Sequence, residues 1–311
     1  MRIALFTPLA VSFILTLTAP GVSRRLPPRT AVWLLTVACV VAGGGWAAAL
    51  GMLAFTLIDR FPDLAAEGGW STGVLAAHTP IGWPIAALSA VTLVVCTAWL
   101  TASAWHRTRL LLLARRHGRL LPPGGELAVL DDSEPSAYAL PGTPGRIVVT
   151  SGMLRTLNAR ERGALFAHER THLRHRHHIF LLVLHLAAAV DPLLRPVATA
   201  GALSLERWAD EEAAVAVADR SLVARAVARA ALATAHRPDH ALAATGGPVP
   251  QRVRALLAPP PPRRHDLVVA QAALLLACCA SLVLSAQDMD KIFDMAGPAT
   301  GTTASAHHMD R

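Results

Sequence analysis

The sequence predicts a mainly α-helical membrane protein, with about four transmembrane helices and one small α+β domain. Three observations predict it. Of 311 residues, 53% are hydrophobic and only 16% charged, and the mean hydropathy is +0.42, too apolar for the charged surface a soluble domain needs. The apolar residues fall in blocks almost free of charge, the pattern of membrane spans. Between 107 and 258 the chain instead turns charged and carries short β-like pieces followed by helical periodicity.

The apolar blocks are 3–19, 31–58, 81–105 and 267–287. About 20 apolar residues cross a hydrocarbon core, so each block can span, the first only just. Trp83 and Trp105 stand near the ends of the third, where indoles favour the interface. Arg2 gives the first block the basic start of a signal peptide. Leu17-Thr18-Ala19 before Pro20 is a poor cleavage site, so an uncleaved anchor is expected. Cys39, Cys96, Cys278 and Cys279 lie inside the spans with no C-x-x-C pair, and read as small apolar packing residues. The net charge of +8 comes mainly from arginine. In a membrane protein it is a topology signal, and direct nucleic-acid binding is not expected.

Residues 107–119 carry five arginines among leucines and continue the third span as a surface helix. Three strands follow, at 127–130, 137–140 and 146–150, each bounded by Gly, Pro, Asp or Ser. Asn158 with Glu161 three residues later opens a helix as a capping box. A second helix is expected over 203–219, with Ala-rich helix continuing to about 236. Pro259 to Pro262 before Arg263 and Arg264 form a stiff connector into the last span. The expected organisation is therefore three spans in 1–106, a domain in 107–258, connector and last span in 259–287, and a disordered tail in 288–311.

The first helix of that domain contains "HERTH" (168–172). Positions i and i+4 of a helix share a face, so His168 and His172 can present their imidazoles to one point. Zinc accepts neutral histidine nitrogens, and a catalytic site takes three protein ligands and keeps a fourth position for water. Glu169 then lies beside that water as a general base. With 14 histidines, an HExxH arises by chance in about one or two of a hundred such sequences, so the third ligand is the stronger test. Downstream stands "ERWAD" (206–210). Glu206 and Asp210 again share a helix face: if Glu206 reaches the zinc, Asp210 can bond the outer nitrogen of a ligand histidine. Glu211 and Glu212 read as a solvated acidic face.

HExxH followed by E-x-x-A-D resembles the gluzincin-like membrane peptidases, which include the HtpX heat-shock proteases and the CAAX prenyl proteases. "AYALPG" (137–142), "IVVTSGML" (147–154), Glu161 ahead of "ALFAHERTHLRHRH" (164–177) and the flanking spans more closely resemble the BlaR/MecR-type antirepressor membrane metallopeptidases. The resemblance covers most of the chain. It implies a zincin-like metallopeptidase domain with His168, His172 and Glu206 as zinc ligands, Glu169 as base and Asp210 in support. It also implies a protein or peptide substrate, a transcriptional repressor being one candidate. The family's best-known receptors carry a penicillin-binding sensor domain. Here a short tail without S-x-x-K follows the last span, so peptidase chemistry is implied and β-lactam sensing is not.

Other residues read more plainly. His175, His177 and His178 are taken as a solvated or membrane-surface helix end in preference to a second metal site. His185 and Asp191 flank only a dozen apolar residues, so a buried or interfacial helix is favoured there over a span. Tyr138 belongs to a candidate edge strand. The arginines at 24, 25, 29, 107–119, 263 and 264 against the acidic 59–67 place the domain on the cytoplasmic side of the cell membrane, with both ends outside. The reading is an integral-membrane zinc metalloendopeptidase, set against an HtpX-like housekeeping protease, a non-catalytic zinc-binding signal transducer and a structural membrane protein with a chance motif.

Overall fold

Pro27 and Pro28 separate the first two helices, α1 (Arg2–Arg25) and α2 (Pro28–Phe55). Pro28 stands at the start of α2, where its missing N–H is no loss. The computed structural model describes residues 2–78, 81–120, 125–234 and 248–297. A 3-10 turn (Thr56–Arg60) and two short helices, α3 (Pro62–Glu67) and α4 (Thr72–His78), lead to α5 (Trp83–Leu120). α5 runs unbroken into the arginine-rich segment, so the compositional boundary at 106 falls inside one helix.

The three strands are β1 (Leu127–Leu130), β2 (Ala137–Leu140) and β3 (Arg146–Thr150), at the bounds that turn residues and alternation predicted. Their order is β1-β3-β2, with β1 parallel and β2 antiparallel to β3. β3 is buried from Ile147 to Thr150, whereas β2 is an edge and leaves Tyr138 exposed. A helix not read from the sequence follows, α6 (Ser151–Thr156), capped by the Thr150 hydroxyl. Its six residues are too few to show a period. α7 (Ala159–Arg174) opens on the expected capping box: Asn158 and Glu161 exchange side-chain-to-backbone hydrogen bonds of 3.0 Å. Arg229 neutralises the buried Glu161 at 3.0 Å.

α8 (His177–Val190), a 3-10 turn (Pro192–Leu194) and α9 (Arg195–Val217) form a helical hairpin. α9 begins at Arg195 instead of 203 because Pro196 favours its first turn. The 14 residues of α8 rise about 21 Å. At the tip, the Thr16 hydroxyl donates to the Leu193 carbonyl, and Asp191 lies beside Ser12. A Cβ at Gly43 would touch Ala187 and Leu194 at 3.6 Å. The tip is thus level with the middle of α1 and α2. The stretch 179–205 turns back at Asp191-Pro192 and packs its tip against α1 and α2. Asp191 is fully buried and accepts the Leu193 N–H at 3.0 Å.

α10 (Arg220–Thr234), α11 (Pro248–Leu257) and α12 (His265–Ala296) complete the described chain; the rest of the Ala-rich stretch to 236 lies outside the described residues. Among them, four helices are long and apolar enough to cross a membrane: 6–25, 28–60, 83–116 and 265–296. The largest core cluster joins α1, α2, α8, α9 and α12. Gly45 lets α2 approach closely, since a Cβ there would meet Leu282 at 3.2 Å and Cys278 at 3.3 Å. A second cluster, with Ala164, Ala213, Val223 and Leu256, joins α7, α9, α10 and α11.

The tail expected to be disordered from 288 is helical as far as Ala296. Phe293 packs against Phe55 and Trp70, each at 5.0 Å between ring centroids, and the Ser71 N–H donates to the Ala296 carbonyl at 2.7 Å. The contacts that hold this segment come from the end of α2 and the connection 56–78, which sequence distance hides. Residues 298–311 lie outside the described residues. This aromatic cluster marks one end of the bundle. At the other end Arg29 lies over the Trp208 ring at 5.5 Å and Arg207 donates to the Ser23 carbonyl. The arginine-rich ends of the spans therefore gather on the side that carries HERTH.

Candidate metal centre

One turn of α7 brings His168 and His172 side by side, with their Nε2 atoms 3.1 Å apart. α9 packs across α7 and delivers Glu206: Oε2 lies 3.6 Å from His168 Nε2 and Oε1 lies 3.6 Å from His172 Nε2. Among the described residues these three form a group able to hold a metal ion, with ligand atoms within 4.8 Å of one another. The spacing fits zinc. A tetrahedron with bonds of about 2.0–2.1 Å has edges of about 3.3–3.4 Å, between the 3.1 and 3.6 Å found here.

Asp210, one turn beyond Glu206 and nearly fully buried, stands 3.0 Å from His168 Nδ1. It orients the imidazole so that Nε2 faces the cluster. A residue the sequence did not signal completes this corner. Arg252, on α11, forks onto Asp210 with bonds of 2.8 and 2.6 Å and reaches Glu206 Oε2 at 2.9 Å. Glu211 and Glu212 do not join the cluster. Nor are they a free solvated face: Glu211 pairs with Arg220 at 2.9 Å, and Glu212 accepts the Trp208 indole N–H at 3.3 Å.

His177 also departs from expectation. It is 1% exposed, not a solvated helix end, and its Nδ1 lies 2.9 Å from His172 Nδ1. With His172 Nε2 turned to the cluster, its Nδ1 carries the proton and donates to His177. The His177 proton then sits on Nε2, which is buried without a partner. Burial, and next the neighbouring His172, push the His177 pKa down to about 3, so it stays neutral. His177→Ala is expected to weaken zinc binding about 10–100-fold, as loss of a ligand's outer partner does. Competition against a chelator measures it, and an unchanged affinity would remove the role. His175 instead packs against Trp208, tilted by 34° with ring centroids 4.7 Å apart, and His185 donates to the Leu181 carbonyl.

Electrostatics divide the cluster. Burial works against charge on His168, but Asp210 and Glu206 outweigh it and push its pKa up to about 9. Burial lowers His172 to about 4. Burial also favours a neutral Glu206, yet His168, Arg252 and His172 hold that carboxyl well below the usual range. A metal must therefore displace the proton of His168. Apparent zinc affinity should rise about tenfold per pH unit from 7 to 9 and level off above, measured by titration in pH-buffered chelator. A flat profile over that range would show that His168 is already neutral.

Glu169 lines, together with His168 and Glu206, a cavity of about 310 Å³ bounded also by Ser136, Ala137, Val227 and Arg252. Burial raises its pKa, opposed by His168 and by the N–H of Ala139, which donates to its carboxylate. A buried carboxyl with a raised pKa, beside a metal cluster and under an edge strand, is suited to accepting a proton and returning it.

No curated protein and no solved structure matches the chain. The model of peptidase family M48 matches residues 101–201, a segment that holds the sheet and HERTH and ends before Glu206. With the His/His/Glu cluster, this match supports a metallopeptidase of family M48.

Proposed function

We propose that the chain is an integral-membrane zinc metalloendopeptidase of the BlaR/MecR type, acting in regulatory proteolysis at the cytoplasmic face. The observation that carries this reading is the shared cavity: His168 and Glu206 of the His168–His172–Glu206 cluster, Glu169 and Ala137 of the edge strand β2 line one space. Zinc, when bound, supplies a Lewis acid that polarises a peptide carbonyl and acidifies a water. His168, His172 and Glu206 hold it. Asp210 and His177 fix the two imidazoles from behind, and Arg252 fixes the carboxylates. Glu169 takes a proton from the attacking water and passes it to the leaving amine. An extended peptide can add to the free edge of β2, which brings its backbone past Glu169. The specific "AYALPG" and "IVVTSGML" stretches, which form β2 and the β3–α6 junction, support the BlaR/MecR likeness. A transcriptional repressor is the candidate substrate that this likeness suggests.

The purified full chain, loaded with zinc, should cleave members of a peptide pool, lose the activity to a chelator and regain it with zinc. No cleavage by protein carrying one zinc per chain would overturn the reading. The cytoplasmic side rests on the arginine-rich ends gathered around the cluster. In a cysteine-free background, Glu67→Cys should react with an impermeant thiol reagent in intact cells, and Arg155→Cys only after permeabilisation. Labelling of Arg155→Cys from outside would place the centre on the opposite face.

A further inference from the structure

Arg252 holds more donors than its two carboxylates use. A guanidinium carries its N–H groups in a rigid fork, one on Nε and a pair on each terminal nitrogen. Nε and Nη2 donate to the Asp210 carboxylate at 2.8 and 2.6 Å, and Nη1 lies 2.9 Å from Glu206 Oε2. These contacts leave a second hydrogen on Nη1 and another on Nη2. The side chain is 13% exposed, and it lines the cavity that Glu169, His168 and Glu206 share. Its guanidinium and the Glu169 carboxylate are near enough to act on each other's charge.

The chemistry of that cavity needs such a donor. Hydrolysis begins when the water oxygen bonds to the carbonyl carbon. The π pair of the C=O bond moves onto the carbonyl oxygen, and Glu169 takes the proton of the water. That oxygen stays negative until its pair re-forms the C=O bond, the C–N bond breaks and the proton on Glu169 passes to the leaving nitrogen. Donors aimed at the oxygen lower the barrier. Of the polar side chains that line the cavity, Glu169 and Glu206 are acidic and would repel it. His168 has Nδ1 on Asp210 and Nε2 turned to the cluster. The Thr234 hydroxyl donates to the Ala230 and Ala231 carbonyls of its own helix. Ser136 is neutral. Arg252 is the one permanent cation among the described lining residues.

We propose that Arg252 is a catalytic residue: with its fork held by Asp210 and Glu206, a remaining Nη hydrogen donates to the carbonyl oxygen of the scissile bond as that oxygen becomes negative. The proposal rests on the peptidase reading above and adds a residue to its machinery. It also gives the two carboxylates a second purpose. They hold the guanidinium rigid, so the donor is in place before the charge develops and costs no reorganisation then. Lysine has no such fork and cannot bridge Asp210 and Glu206 while it also reaches the substrate.

The test uses the full zinc-loaded chain, a cleavable peptide, and a phosphinate of the same sequence whose tetrahedral anionic group replaces the scissile amide. At saturating metal, Arg252→Lys should keep one zinc per chain, lose about 10²-fold in kcat and change KM by less than about threefold. Its affinity for the phosphinate should fall about as far as kcat does. The intact peptide should bind the double variant Arg252→Lys with Glu169→Gln as it binds Glu169→Gln alone, to within about threefold. An arginine that only braces the carboxylates would weaken zinc and leave the ratio of the two affinities unmoved. Ser136→Ala, which removes the other uncommitted donor of the lining, should change kcat and phosphinate affinity by less than about threefold. A structure of the zinc-loaded wild type with the phosphinate decides the question even where Arg252→Lys loses its metal. It should place a phosphinyl oxygen about 2.7–3.2 Å from Arg252 Nη1 or Nη2. Unchanged kcat in Arg252→Lys, a loss carried by Ser136→Ala instead, or a phosphinyl oxygen out of reach of Arg252 would overturn the assignment and leave the peptidase reading standing. A zinc-loaded wild type that neither cleaves the peptide nor binds the phosphinate would sink both.

Discussion

Glu169→Gln is expected to bind one zinc per chain as the wild type does and to cleave peptides at least about 10²–10⁴-fold more slowly, the usual worth of a positioned general base. The amide has nearly the shape of the carboxylate and can still accept the Ala139 N–H, so the cavity stays as it is. What it loses is the ability to take a proton from water. His168→Ala and His172→Ala should fail differently. Each leaves two of three ligand groups whose atoms lie within 4.8 Å of one another, and zinc should no longer copurify. Metal analysis beside kcat/KM separates the two classes of variant. Wild-type rates from purified Glu169→Gln protein would show that the proton goes elsewhere.

The contrast also shows what a sequence can carry. His168, His172, Glu206 and Asp210 are legible because each pair lies one turn apart, and helical periodicity alone puts each pair on one face. The strands are legible because Gly, Pro and Asp bracket them tightly. Arg252 is not legible. It sits 42 residues from Asp210, in a helix whose place over the centre depends on packing between α9, α10 and α11. His177 hid in a run of His and Arg that has the composition of a solvated surface, and only the turn at Arg176, with its left-handed φ of 51°, folds the ring back beneath His172. The hairpin depth was open for a related reason. A dozen apolar residues fix a helix, but whether it lies along a membrane or dips into a bundle is decided by partners such as Thr16 and Gly43. The tail after 288 was misread because Phe55 and Trp70, which hold Phe293, come from the other end of the chain.

The acidic side of the centre gives the sharpest separation among close neighbours. Glu206→Ala is expected to abolish zinc binding, since it removes the sole carboxylate of the triangle. It also frees Arg252 to approach the histidines and repel the metal. Asp210→Ala should cost about 10–100-fold in zinc affinity: the ligands remain, but His168 loses the partner that aims it. In metal-free protein the same change should return the His168 pKa from about 9 toward lower values, because burial then acts with Glu206 as the main opponent. The pH profile of zinc affinity should flatten accordingly. Arg252→Ala should resemble Asp210→Ala in affinity and lose more stability. It leaves Asp210, 2% exposed along its side chain, with His168 but without the Arg252 fork, and breaking a buried ion pair typically costs about 3–5 kcal/mol. Glu211→Ala and Glu212→Ala, on the same helix but paired with Arg220 and Trp208, should leave zinc affinity within about twofold. Isothermal titration across these five variants orders them by role. Loss of metal in Glu211→Ala or Glu212→Ala with retention in Glu206→Ala would mean that α9 presents another face to α7 than the one described.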